Sequence, residues 1–160
     1  MKPFAAMFAF CLVATAHAQP VNLVTVDKSD RILRLHAGGE VIREYSISLG
    51  ANPRGHKARQ GDMRTPEGRY VLDWRNPNSR FFRSVRISYP SPDDVARAEE
   101  RGFSPGGNIF IHGLPNQPEQ RRVFYERLDW TDGCIAINDN EDMLEFWNLV
   151  QDGTPIHIQP

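Results

Sequence analysis

Arg31-Ile32-Leu33-Arg34-Leu35-His36-Ala37-Gly38-Gly39-Glu40-Val41-Ile42-Arg43-Glu44-Tyr45-Ser46-Ile47-Ser48-Leu49 reads as two alternating runs joined by a glycine turn. A period of two puts successive side chains on opposite faces of a strand, and paired glycines suit the positive φ of a tight hairpin. The run before it, Val21 to Val26, is β-branched and ends at the turn Asp27-Lys28-Ser29-Asp30. Two or three antiparallel strands are expected here.

The pattern changes after Leu49. Gly50 to Gly68 is long, irregular and rich in Gly, Pro and charge, and Thr65-Pro66-Glu67-Gly68 ends it before a strand at Arg69–Trp74. Loops of this length in compact domains are usually functional. Another strand falls within Phe81 to Tyr89. Ser91-Pro92-Asp93-Asp94 then supplies an N-cap, a proline at the first helical position and an acidic first turn. That short helix is expected to stop near Gly102. Asn108–Ile111 reads as a buried strand with His112 at its end. Near the C-terminus, Met143, Phe146, Trp147 and Val150 form one apolar helical face behind a cap at Asn138 or Asp139. Gly153 stops the helix, and Thr154–Ile158 is a last strand whose proline favours an edge or a strand start. The expected class is mainly β with short helices, an α+β domain.

Residues 1–18 read as a cleaved signal peptide, with Lys2, an apolar run from Phe4 to Ala14, and Ala16-His17-Ala18 as the cleavage site. The apolar run is too short to span a bilayer as a mature helix, and no second one exists in the sequence. The expected location is the periplasm or cell envelope. Residues 19–160 suffice for one domain with a real core. The whole chain has 19 Lys+Arg and 20 Asp+Glu, and removing residues 1–18 takes away only Lys2. This balance gives no basic excess for nucleic acid or an anionic membrane. A monomer is expected.

Cys11 falls in the leader, so Cys134 is the only mature cysteine and no intramolecular disulfide is possible. An unpaired thiol in an exported protein stands out. It lies in Thr131-Asp132-Gly133-Cys134-Ile135, where a glycine turn can bring backbone N–H groups near a substrate carbonyl. The plain alternative is a small buried hydrophobe. A thiol needs a base or a positive environment to supply thiolate. His112 is the best base, sharing a strand face with Phe110 ahead of Gly113. Its plain alternative is a surface histidine at a strand end, the reading given to His36 and His157, each in an alternating strand with no partner motif; His56 sits in a charged loop and stays ambiguous. The four scattered histidines and one cysteine of residues 19–160 lack metal-site spacing, so neither metal nor cofactor is expected.

His112-Gly113 and Thr131-Asp132-Gly133-Cys134-Ile135 resemble the motifs of the L,D-transpeptidase catalytic (YkuD-like) domain. So do Gly61-Asp62-Met63-Arg64-Thr65-Pro66-Glu67-Gly68 and the ending Asp152-Gly153-Thr154-Pro155-Ile156. The resemblance implies a mixed β-sandwich with the C-terminal helix packed near the cysteine motif. It also implies a peptidoglycan enzyme acting on stem peptides. Cys134 would attack the diaminopimelate carbonyl, release terminal D-alanine and pass the acyl group to an amine, with an envelope protein as a further possible acceptor. His112 would move the protons, the Gly113 carbonyl would orient His112, and the N–H groups of Gly133 and Cys134 would form the oxyanion hole. Thr131, Asp132, Arg64 and Trp130 are the expected substrate contacts. Water in place of the amine would give an L,D-carboxypeptidase or amidase. A non-catalytic peptidoglycan-binding module is the reading from another class.

This sequence departs from the family pattern at two positions. Asp132 replaces the motif histidine, and Ala136 replaces an Arg or Asn. Asp132 is expected to cap the turn; the alternative is an ion pair with Arg64, Arg83 or Arg127. The 22-residue step from His112 to Cys134 also exceeds the common spacing. A short helix at Arg121–Arg127, with Phe124, Tyr125 and Trp130 apolar, would make it a lid or acceptor-side wall.

Overall fold

The computed structural model describes residues 19–117, 119 and 129–160. The leader and the Arg121–Arg127 helix expected above lie outside the described residues. Among the described residues, eight strands and two helices follow in order: β1 (Leu23–Asp27), β2 (Ile32–Ala37), β3 (Glu40–Ser48), β4 (Gly68–Ser79), β5 (Phe82–Ile87), α1 (Pro92–Glu99), β6 (Phe110–His112), β7 (Ile135–Ile137), α2 (Asn140–Leu149) and β8 (Thr154–Gln159).

The alternating run from Arg31 forms the β2–β3 hairpin, with Ile32 opposite Ser46 and Ala37 opposite Glu40. Beyond it, the chain closes into one barrel in the order β1-β2-β3-β7-β6-β5-β4-β8. The two faces expected of a sandwich are thus continuous around a single sheet. Closure depends on two parallel pairings between distant segments. β1 lies along β8, Val24 facing Ile156 and Asp27 facing Gln159. β6 lies along β7, Ile111 facing Ile135 and His112 facing Ala136. A closed sheet has no edge, so Pro155 is accommodated at a strand start.

Alternate residues of the strands fill the barrel. Leu33, Leu35, Leu72, Val85, Ile87, Ile111, Ile135 and Ile137 are fully buried. Burial of each such side chain stabilises the fold by about 1.5–3 kcal/mol before entropy is counted. The α2 helix adds Met143 and Phe146 to this core, and Tyr45 meets the Phe146 ring edge-on at 6.3 Å. Asp139 caps α2 by accepting from the N–H groups of Glu141 and Asp142. Ser91 and Asp94 form a reciprocal capping box on α1.

The segment between β3 and β4 has no regular structure, yet it is pinned from several sides. Thr65, fully buried, accepts from Gly50 N–H through Oγ1 at 3.0 Å. Lys28 is 3% exposed. Its ammonium donates to the carbonyls of Gly55 and Thr65 and to Glu67 at 2.7 Å. Lys57, equally buried, reaches Asp62 at 2.8 Å. Asp62 also accepts from the N–H groups of Ala58, Arg59 and Arg64. Burial alone would raise this carboxyl, but Lys57 and the three N–H donors outweigh it and hold Asp62 down to about 2. His56, ambiguous in the sequence, bridges two elements. Its Nδ1 accepts from Glu67 N–H at 3.0 Å, and its Nε2 faces Asp94 of α1 at 3.1 Å.

Candidate active site

Parallel pairing of β6 and β7 brings the His112 and Cys134 motifs together. Ile111 and Ile135 point into the core, so Phe110, His112 and Cys134 share the opposite face. Strand spacing and rise put the His112 and Cys134 Cα atoms about 8 Å apart, one diagonal across the pair. Both side chains line a cavity of about 670 Å³ with Phe81, Phe110, Trp130 and Asp132. Cys134 and Asp132 also line a second cavity, about 680 Å³, with Lys57, Gln60, Met63 and Ser104. Asn108 borders both cavities. The thiol therefore sits where the two meet.

His112 is buried, which sets aside the surface-histidine alternative. Its Nδ1 lies 2.7 Å from the Gly113 carbonyl oxygen. The carbonyl can only accept, so Nδ1 carries the proton and Nε2 keeps a lone pair. Phe81 stacks on the imidazole at 4.5 Å, and Trp130 meets it edge-on at 5.6 Å. Desolvation pushes His112 down to about 4, against the opposing pull of the Gly113 carbonyl. The ring is thus a neutral base at neutral pH. A Cβ at Gly113 would lie 2.6 Å from Asn140 Oδ1, so a larger residue there would have to displace the oxygen that accepts from Leu114 N–H.

Thr131 shapes the cysteine turn. Its Oγ1 donates to the Cys134 carbonyl at 2.7 Å and accepts from Gly133 N–H at 3.1 Å. Its backbone is fixed too, Thr131 N–H donating to Leu49 and Ala51 N–H donating to Thr131. Gly133 has φ +129°, and a Cβ there would lie 2.6 Å from the Arg64 carbonyl oxygen. Only glycine suits that conformation and that contact.

The thiol donates to the Asn108 carbonyl at 3.7 Å. Asn108 adopts φ +56°, a left-handed conformation that Asn tolerates better than most side chains. Desolvation raises the thiol above its ordinary value, and Asp132 adds to the rise; the Phe110 N–H and Lys57 act in the opposite direction. The resting pair is therefore thiol and neutral imidazole.

The family profile of the L,D-transpeptidase catalytic domain, YkuD, matches residues 21–158. The chain belongs to the L,D-transpeptidase (YkuD) family. YafK of Escherichia coli K12, provisionally named an L,D-transpeptidase, is 33% identical over 97 residues, covering 56% of this chain and 37% of YafK. Among solved structures, the helical cell shape determining protein Pgp2 of Campylobacter jejuni superposes with a TM-score of 0.64 at 28% identity, covering 87% of this chain and 47% of Pgp2. An L,D-transpeptidase from Mycobacterium smegmatis, at 18% identity and a TM-score of 0.55, shares the fold; the match covers 86% of this chain and 58% of that one. This chain thus spans less than half the length of YafK or Pgp2.

Within this L,D-transpeptidase domain, several site residues are placed differently from expectation. Asp132 does not cap the turn; Thr131 does, because its hydroxyl can both donate and accept. Nor is Asp132 ion-paired among the described residues. It is exposed and borders both cavities. The Arg64 side chain lines neither of them. Its backbone carbonyl packs against Gly133, while its guanidinium turns toward His56. Gly133 N–H is already engaged by Thr131. Ala136 is fully buried on β7 beside His112 and borders neither cavity. Trp130 lies against the histidine as part of the cavity wall.

Sequence reasoning missed Phe81, Asn108 and Lys57. Gly106-Gly107-Asn108 was a readable turn signal. Nothing local distinguished Lys57 from a surface lysine.

Proposed function

We propose that this domain is a cysteine-dependent peptidoglycan L,D-transpeptidase working in the cell envelope. The observation that carries the proposal is the thiol at the meeting point of two cavities, with a buried, oriented imidazole bordering one of them. Acyl transfer needs a donor and an acceptor at one reacting atom, and two open cavities sharing the thiol provide for both.

In the first step Nε2 of His112 takes the thiol proton as sulfur bonds to the diaminopimelate carbonyl carbon. The carbonyl oxygen becomes an oxyanion, and Cys134 N–H is its proposed donor. The C–N bond then breaks, and the D-alanine amine leaves with the proton held by His112. In the second step an amine attacks the thioester, His112 accepts its proton, and the thiol leaves reprotonated. The neutral imidazole suits this role because it is already unprotonated at neutral pH.

Mass spectrometry of muropeptides after incubation with residues 19–160 tests the proposal. New stem-peptide dimers that need Cys134 support transfer. Loss of terminal D-alanine without dimers would replace transfer by hydrolysis, and unchanged muropeptides would remove the enzymatic reading.

A further inference from the structure

A third cavity of about 280 Å³ lies behind Lys57. It is bordered by His56, Lys57 and Arg64 from the β3–β4 segment, Asp94 and Arg97 of α1, and Arg101 beyond it. Its charges do not balance locally. Lys57 is already turned to Asp62 and the Arg59 carbonyl. Asp94 is also occupied, accepting from Ser91 N–H and Oγ and from the Tyr70 hydroxyl, with Arg97 and His56 against its other oxygen.

Two guanidiniums remain uncompensated. Among the described residues the Arg64 side chain makes one hydrogen bond, a long one from Nη1 to the His56 carbonyl at 3.5 Å, and no ion pair. Its Nε is buried without a hydrogen-bond partner among the described residues. Arg101 has no ion pair among those residues either. The guanidiniums of Arg64, Arg97 and Arg101 border the cavity against a single carboxylate already saturated by its own partners, and a carboxylate or phosphate there would accept charge-assisted hydrogen bonds from them. The planar donor set of arginine suits such oxyanions.

We infer that the cavity between the β3–β4 segment and α1 is an oxyanion subsite, in which Arg64 and Arg101 bind a carboxylate or phosphate group. Because Lys57 borders both this cavity and that of Cys134, the group can belong to a ligand extending past the lysine or to a free anion. The inference does not depend on the proposed transfer reaction.

The test is calorimetric titration of the Cys134→Ala protein at low ionic strength, with inorganic phosphate, acetate or a soluble stem tetrapeptide. Saturable binding of at least one of these, weakened about tenfold or more in Arg64→Gln/Arg101→Gln, is expected, since one charge-assisted contact is worth about a tenfold change. Peptide binding that phosphate competes away and the double variant weakens assigns the site to the peptide. Phosphate binding that leaves the peptide unaffected assigns it to a free anion. Arg101→Gln, which changes only an exposed side chain, serves if the double variant does not fold. Absence of saturable binding, or affinities unchanged in the variants, overturns the inference. Turnover is not read, so a failure of the transpeptidase proposal registers separately.

Discussion

The two cavities beside Cys134 have walls built on opposite principles. On one side Phe81 and Trp130 surround His112, and desolvation holds the base neutral. On the other, the β3–β4 segment presents Lys57, buried and paired with Asp62, whose carboxylate gathers three further N–H groups. The first wall sets the chemistry by excluding water. The second holds an irregular backbone in place with ions that would be costly to separate. The thiol at their junction is flanked by a neutral imidazole on one wall and a fixed surface on the other.

The largest expected effect comes from removing the junction. Cys134→Ala should abolish turnover, by about 10⁴-fold or more, with both walls intact. Muropeptide analysis checks the loss, and an unchanged circular dichroism spectrum checks the fold.

His112→Gln comes next, with turnover down about 10²–10⁴-fold. It also separates the walls by pH. The folded protein holds His112 near 4 against an ordinary 6.5. The unfolded chain therefore binds the extra proton first, so this contribution to stability is full above 6.5 and is lost as pH falls toward 4. Asp62, held near 2 against 3.8, keeps its contribution above 3.8 and loses it as pH falls toward 2. Melting temperature against pH should show two acid losses in the wild type. Only the upper one should disappear in His112→Gln; a variant that keeps it would place that loss elsewhere.

Lys57→Met attacks the other wall and leaves Asp62 buried beside three N–H groups without its cation. Loss of one partner from a buried pair costs about 3–5 kcal/mol. Urea unfolding of the variant should show this as a lower midpoint, and an unchanged midpoint would mean that the segment does not depend on the pair.

The smallest effect concerns an exposed residue that borders both cavities. Asp132→Asn removes a charge that raises the thiol. The side chain is exposed, so solvent screens it, and alkylation of Cys134 near neutral pH should accelerate only about two- to fivefold. A slower reaction would show that Asp132 supports the turn instead of opposing the thiolate.

The same contrast explains what could be read from the sequence. Local signals were legible: alternation gave β1 to β3, Ser91-Pro92 and the Asn138-Asp139 pair marked the helix starts, and the glycine-flanked Cys134 and His112 stood out. The face shared by Phe110 and His112 followed from period two alone. The barrel closure was hidden, because it rests on parallel pairings without a connecting turn, β6 with β7 across the cysteine loop and β1 with β8 across most of the chain. β7 has only three residues, too few for a periodic signal. The charged wall was hidden for another reason. Lys28 and Lys57 lie in stretches that look solvated, and only tertiary packing buries them. Thr131 in place of Asp132 as the turn's organiser could not be chosen in advance, since both residue types make such turns.

The pairing of β1 with β8 also has a mechanical meaning. The two strands are parallel neighbours, so the chain enters beside Leu23 at one end of the pair and leaves at Gln159 by the other. A pull on the two flanks is directed along the strands in opposite senses. It loads their hydrogen bonds together, in shear, and cannot peel them one at a time. The domain is thereby clasped along the line of tension, and force spectroscopy would register it as a single high rupture event.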